Sequence, residues 1–233
     1  MSDAPTKTAV PLTCWSCSAV AESPLFCPAC RRIQPLPPGT DYFILFDLPR
    51  KLRIDPADVE RRFHQLSWKL HPDNFVRATD FERYLSLERS SVLNDAYRTL
   101  RDPISRVEYL LGQENMRKEG QSKQQAPPEL LEEVFELNES LDELRTARQS
   151  GGDGEEMAAL RKRLEAAGKH FEEKLAEVDR ELDLTFGEWD AALDAGADAE
   201  ARGTLMARMN DILNRRSYIR NLVANVQKEL AEA

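Results

Sequence analysis

No apolar run in these 233 residues approaches the ~20 needed to cross a bilayer as a helix, so no membrane partner is expected. Met1 to Val10 lacks the hydrophobic stretch of a signal peptide and the arginine-rich amphipathic character of a transit peptide. A cytoplasmic bacterial protein is the simplest expectation, with a mature mitochondrial form as the alternative. Positive charge is also short. Lys and Arg number 32 against 41 Asp and Glu, a net charge of −9 and a pI near 5.1. That argues against nucleic acid, because phosphate binding needs a basic footprint. Aromatics are 7% while charged residues are 31%, a balance that predicts a helix-rich, soluble chain of one or two domains. No phosphate-cradling glycine loop is present; Gly151, Gly152 and Gly154 read as a flexible join. No serine or cysteine nucleophile stands with a plausible base, and His64 and His170 fall on helical patterns as surface or packing residues. No catalytic residue and no enzyme are predicted.

Cysteine is scarce but concentrated. All four lie within 17 residues, as Cys14-x-x-Cys17, nine residues, then Cys27-x-x-Cys30. Two such pairs can close a tetrahedral thiolate site, each gripping one side of an ion. Residues 10–34 are therefore predicted to form a metal knuckle with zinc as the default ion, though iron suits similar geometry. Disulfides are disfavoured in a chain that reads as intracellular, and a redox role needs a surrounding βαβ pattern that is missing. The knuckle is too small for a core, so the metal would fold it, with Trp15, Leu25 and Phe26 packing nearby. A closed four-cysteine site has no open position for chemistry, which favours a capping role. Pro35-Leu36-Pro37-Pro38-Gly39 then makes a stiff link.

Beyond the link, Val59, Phe63, Leu66 and Leu70 recur at helical spacing, with Asp55-Pro56 as N-cap and first helical residue. The outward face of that helix carries Arg61, Arg62, Gln65 and Lys69. Leu85, Val92, Leu93, Ala96, Tyr97 and Leu100 form a second apolar face. Between the two lies His71-Pro72-Asp73. A helix stop explains the proline and a capping aspartate, but not the flanking pattern.

A short apolar segment at Tyr42–Phe46, a basic helix, the His-Pro-Asp turn and an apolar helix ending near Asp102-Pro103 resemble the J-domain across residues 41–112. The resemblance implies stimulation of ATP hydrolysis by a DnaK-type chaperone. His71, Pro72 and Asp73 would carry the signal, with Arg61, Arg62 and Lys69 steering an acidic partner surface. A solvated helix face is the alternative for the three cations. Trp68 lies near the outward face, as an internal packing residue or part of the interface.

Residues 113–126 are polar and read as a linker. Three stripes follow: Leu130, Val134, Leu137, Leu141 and Leu144; Met157 through Leu182; and Leu205 through Leu230. Three amphipathic helices with short joins predict an antiparallel bundle over 127–233, and an all-α class for the whole. On the first of them Leu131 and Phe135 sit off the stripe beside Glu132, Glu136, Glu139 and Glu143, and Tyr218 projects off the third. Exposed apolar residues with charged neighbours mark partner sites; the plainer reading is a widened buried face with solvated glutamates.

A J-domain followed by such a bundle resembles the HscB family of iron–sulfur cluster co-chaperones, some members of which begin with a tetracysteine knuckle. The family binds the IscU scaffold through the helix carrying its Leu-Asp-Glu run, here Leu141-Asp142-Glu143. The resemblance implies apolar scaffold contacts at Leu131 and Phe135, acidic ones at Glu136, Glu139 and Glu143, and an aromatic one at Tyr218. Glu132 departs from the family, which often has an apolar residue there. The implied partners are an IscU-type scaffold and a DnaK/HscA-type chaperone. The rivals are a general J-protein with other clients and a metal-linked redox protein.

Overall fold

A computed structural model describes residues 12–21, 25–37, 39–117, 127–151 and 154–232. Residues 10, 11 and 22–24 of the expected knuckle, Pro38 of the stiff link, 118–126 of the expected linker, and Gly152 and Asp153 of the expected join lie outside them. Among the described residues the regular structure is helical apart from a pair of two-residue strands, β1 (Leu12–Thr13) and β2 (Val20–Ala21), paired antiparallel with Thr13 opposite Val20, and an isolated bridge between Phe26 and Ile33. The chain divides into two compact units. The first holds residues 1–113 with 190–197, the second 114–189 with 198–233.

In the first unit, α1 (Tyr42–Leu45) is capped by Asp41, whose carboxylate accepts from Ile44 N at 2.8 Å and from Arg50 Nε at 2.7 Å. Helix α2 (Pro56–Leu70) starts on the expected Asp55 cap with proline at its first position. Helix α3 (Asp80–Arg101) opens on a capping box between Thr79 and Glu82, and α4 (Pro103–Gln113) follows. Helices α2 and α3 form a hairpin over Val59, Leu70, Leu85, Leu93, Ala96 and Leu100, all nearly inaccessible to water. Phe63 is only half-buried, because it stacks on Tyr97 at the edge of this seam, 4.2 Å between centroids. Arg106 threads through the other end, donating to the carbonyls of Leu100 at 2.7 Å, Arg101 at 3.4 Å and Leu52. Asp190 accepts from the amides of Leu52 at 2.7 Å and Arg53 at 3.0 Å, so the loop before α2 is held from two sides.

In the second unit, α5 (Leu131–Ser150) ends where Gly151 takes φ +69°, with its amide on Ala147 O. Helix α6 (Gly154–Asp194) has 41 residues, of which those up to Trp189 belong to this unit, with Gly187 inside it. Helix α7 (Ala199–Glu232) follows. Cross-helix polar pairs give the directions. Glu143 meets Arg163 and Glu133 meets Lys174, so α5 and α6 are antiparallel. Glu188 meets Arg208, Asp179 meets Arg216 and Glu172 meets Gln227, so α6 and α7 are antiparallel too. Leu130, Val134, Leu137, Leu141 and Leu144 are buried as their spacing requires. At Gly168 a Cβ would stand 2.9 Å from Val226 Cγ1, so glycine permits a close approach of α6 and α7.

Candidate functional site

The His-Pro-Asp segment closes the free end of the α2–α3 hairpin. Pro72 begins a 3-10 turn over Pro72–Phe75 and His71 caps it, its Nδ1 accepting from Asp73 N at 3.3 Å. Proline suits that place because its fixed φ is already helical and its missing N–H is not needed. Asn74 Nδ2 donates to Trp68 O at 2.7 Å, while Ser86 Oγ and Ser90 Oγ both donate to Leu70 O, at 2.7 and 3.3 Å. The backbone is thus tied on both sides while the side chains of the turn stay in water: His71 is 55% exposed and Asp73 84%. Trp68 stands beside them, 77% exposed.

The three cations behave differently. Arg62 is half-buried and engaged internally, with Asp58 Oδ2 at 2.9 Å and the carbonyls of Phe46 and Asp47 at 3.0 and 2.8 Å. Arg61 pairs with the same Asp58. Arg62 and then Arg61 hold the Asp58 carboxyl below the usual carboxylate range. Lys69 is exposed and has no ion pair among the described residues, and Arg77 beyond the turn shares that condition. Sequence reasoning passed over Arg77 because it lies in the loop rather than on a helical face.

On α5, Leu131 and Phe135 are 55% and 72% exposed. Glu136 and Glu139 are exposed without ion pairs among the described residues, whereas Glu143 pairs with Arg163 at 2.9 Å. Phe135, Glu139 and Glu143 line one open groove with Asn138, Asp142 and Thr146 of α5 and Glu156 and Leu160 of α6. Leu131, Glu136 and Tyr218 lie outside that groove. Tyr218 is half-buried on α7. Pairs of Glu129 with Arg215 and Arg145 with Glu229 put it level with the first turns of α5. Asn138 and Asp142 were missed, although 131, 135, 138 and 142 share one helical face.

The four cysteines converge. Their sulfurs all lie within 4.8 Å of one another, with Cys14 to Cys30 at 3.6 Å and Cys17 to Cys27 at 3.7 Å. A tetrahedron of thiolates ~2.3 Å from a zinc ion has edges of roughly 3.8 Å, so the donor set fits such an ion. The two pairs repeat one turn. Cys14 N bonds Ala19 O and Cys27 N bonds Arg32 O, and Ser18 and Arg31, each four residues past the first cysteine, take φ of 59° and 61°. Burial opposes ionisation of Cys14, but the amides of Cys17 and Ser16 aimed at its sulfur outweigh it and bring the thiol down to about 6. The thiolate is the form a metal takes.

Residues 126–227 match the family described as the HSCB C-terminal oligomerisation domain. The co-chaperone protein HscB homolog of Vibrio vulnificus is 34% identical over 155 residues, covering 66% of this chain and 85% of that protein. The chain belongs to the HscB co-chaperone family. The human iron–sulfur cluster co-chaperone protein HscB is 37% identical over 134 residues, 56% of this chain and 57% of the human protein. The crystal structure of the human co-chaperone aligns over 94% of this chain and 98% of its own, with a TM-score of 0.59 and 26% identity. HscB proteins are co-chaperones rather than enzymes, in keeping with a surface whose distinctive features are an exposed turn, an apolar-acidic helix face and a closed thiolate cluster. No helix among the described residues is long and apolar enough to cross a membrane.

One relation in this HscB family member was invisible to sequence reasoning. The knuckle lies on α3: Trp15 meets Phe81 edge-on at 4.9 Å between centroids, and Arg89 Nη2 donates to Gln34 O at 3.3 Å. Glu82, Ser86 and Arg89, polar positions on an otherwise soluble-looking face, are buried.

Proposed function

We propose that this protein is a co-chaperone of iron–sulfur cluster assembly that binds an IscU-type scaffold and stimulates ATP hydrolysis by a DnaK/HscA-type chaperone. The reading assigns residues 41–112 as a J-domain, 127–233 as the scaffold-binding bundle and 10–34 as a structural zinc knuckle. The observation that carries it is a His71-Pro72-Asp73 turn, held by three side-chain hydrogen bonds and open to water, in a member of the HscB family. His71, Pro72 and Asp73 contact the chaperone. Lys69 and Arg61 steer the encounter, while Arg62, by its internal bonds, chiefly shapes the helix that presents them. Leu131 and Phe135 supply apolar contact to the scaffold, and Glu136, Glu139 and Glu143 supply charge, with Tyr218 at the same level on α7. Zinc at Cys14, Cys17, Cys27 and Cys30 fixes the knuckle, and the chain's own chemistry there is to supply thiolates.

The test is ATP turnover by the cognate chaperone with this protein, with and without scaffold, against His71→Gln. Stimulation that needs both scaffold and His71 supports the proposal. Stimulation that needs His71 but ignores the scaffold turns it into a general J-protein, and no stimulation overturns it.

A further inference from the structure

The knuckle does more than cover α3. Its second half is a small hairpin: Gln34 N donates to Leu25 O at 2.9 Å, Phe26 bridges Ile33, and Cys27 and Cys30 sit in the turn between. An ion that pins those cysteines therefore pins Leu25 as well. Leu25, only 9% exposed, contributes a small patch to the wall of an open groove of about 780 Å³. Ile44 and Pro49 stand across from it, and Leu66, Gln65 and Lys69 of α2 complete the lining. The groove is thus built from three separate stretches of chain, one of them held in place by the thiolate site.

Its charge points to the occupant. Lys69 stands at the rim, exposed and without an ion pair among the described residues, and the Arg62 guanidinium lies in the wall. Asp47 is the groove's one lining carboxylate, 3.6 Å from Arg62 and so already matched. Arg62 is already matched by Asp47 and by Asp58 Oδ2 at 2.9 Å, so the residual positive charge is that of Lys69. Lys69, at the end of α2, precedes His71 by two residues, so the groove's rim lies close in sequence to the chaperone-contacting turn.

We propose that this groove is a docking site for an acidic, partly apolar segment of the chaperone, and that the metal-loaded knuckle completes it through Leu25. The inference rests on the function proposed above and gives the knuckle a part in partner binding. Metal would then set the affinity for the chaperone, while His71-Pro72-Asp73 sets the response once the chaperone is bound. The two roles are separable because one acts on half-saturation and the other on the plateau.

The full-length protein, zinc-loaded and with metal content measured, is titrated into the cognate chaperone, with the IscU-type scaffold at saturating concentration for ATP turnover and without it for direct binding by calorimetry. Leu25→Glu and Ile44→Glu each place a carboxylate in the groove. Ile44 is 49% exposed, so its change leaves packing intact. Each should raise the half-saturating concentration about fivefold or more with an unaltered plateau, as losing a packed, desolvated contact does. Chelating the metal from the unaltered protein should give a similar shift, and should add little in the Leu25→Glu background. His71→Gln should instead abolish the plateau. Half-saturation within twofold of the unaltered protein for Ile44→Glu, and for Leu25→Glu with its metal retained, overturns the groove. If Leu25→Glu loses its metal, Ile44→Glu alone decides. No His71-dependent stimulation by the unaltered protein overturns the function proposed above, and the groove's role with it.

Discussion

Replacing Arg106 by methionine should unlock the base of the α2–α3 hairpin. The guanidinium is 2% exposed and donates to three carbonyls. Two of these, on Leu100 and Leu52, lose their partner inside the protein, while that of Arg101, on an exposed residue, can turn to water. A stranded buried acceptor costs about 1–3 kcal/mol, so two cost roughly 2–6 kcal/mol. Methionine fills the stem and releases a cation whose pKa burial already pulls down. Replacing a buried charge with an apolar group returns part of its desolvation, which brings the expected net loss to about 2–4 kcal/mol. For a unit of this size each kcal/mol lowers the melting temperature by roughly 3–6 °C, so a fall of at least ~6 °C is expected. Urea unfolding followed by tryptophan fluorescence, with Trp189 of the second unit replaced by phenylalanine in every variant, reads the first unit through Trp15 and Trp68, and the slope should be unchanged while the midpoint moves. Arg101→Met is the control. It removes an exposed cation 5.7 Å from the Tyr97 ring, worth about 0.5–1 kcal/mol. A midpoint for Arg106→Met equal to that of the control would refute the reasoning.

Chelation of the knuckle metal should lower hydrogen-exchange protection along the first half of α3 by about 1–3 kcal/mol, the worth of the Gln34–Arg89 bond and the Trp15–Phe81 pair together. Protection unchanged across Glu82–Arg89 would mean the knuckle does not bear on the hairpin. Charge reversal at Glu136, Glu139 and Glu143 should abolish scaffold binding by calorimetry while direct binding to the chaperone persists. Intact scaffold affinity would remove this face from the interface. Arg145, with Arg148, holds the Glu229 carboxyl below the usual carboxylate range despite burial. A depressed carboxyl stabilises the fold above its unfolded value of ~4.3 and loses that contribution as pH falls through the folded value. Melting of the second unit should therefore drop below about pH 4, and Glu229→Gln should flatten that drop by lowering stability at neutral pH.

Much of the fold was legible because its stripes are regular. The α5 pattern from Leu130 to Leu144 is buried at every expected position, and Asp55-Pro56 starts α2 as its chemistry dictates. Four cysteines in two pairs brought four sulfurs together, since thiolate geometry leaves few alternatives. Three features were not legible. Glu82 and Arg89 carry charge on the face of α3 that the knuckle covers, and nothing in their spacing tells them from solvated residues. Arg62 looked like an outward cation, yet its long stem reaches back to the carbonyls of Phe46 and Asp47. Helix α6 continues past the Met157–Leu182 stripe to Asp194; burial of Phe186 and Trp189 extends it and outweighs the cost of Gly187, about 1 kcal/mol.

Ser86 and Ser90 both reach the single carbonyl of Leu70. That oxygen would otherwise be an orphan at the end of α2. Because its two donors lie one helical turn apart on α3, the pair acts as a register lock. Sliding α3 along α2 by one turn would break at least one of the two bonds. The turn that follows is therefore ordered before any partner arrives, and a partner that recognises His71-Pro72-Asp73 need not supply the conformational entropy of arranging them. On the function proposed above, two hydroxyls away from the turn thus convert part of the folding free energy of the hairpin into affinity at its tip.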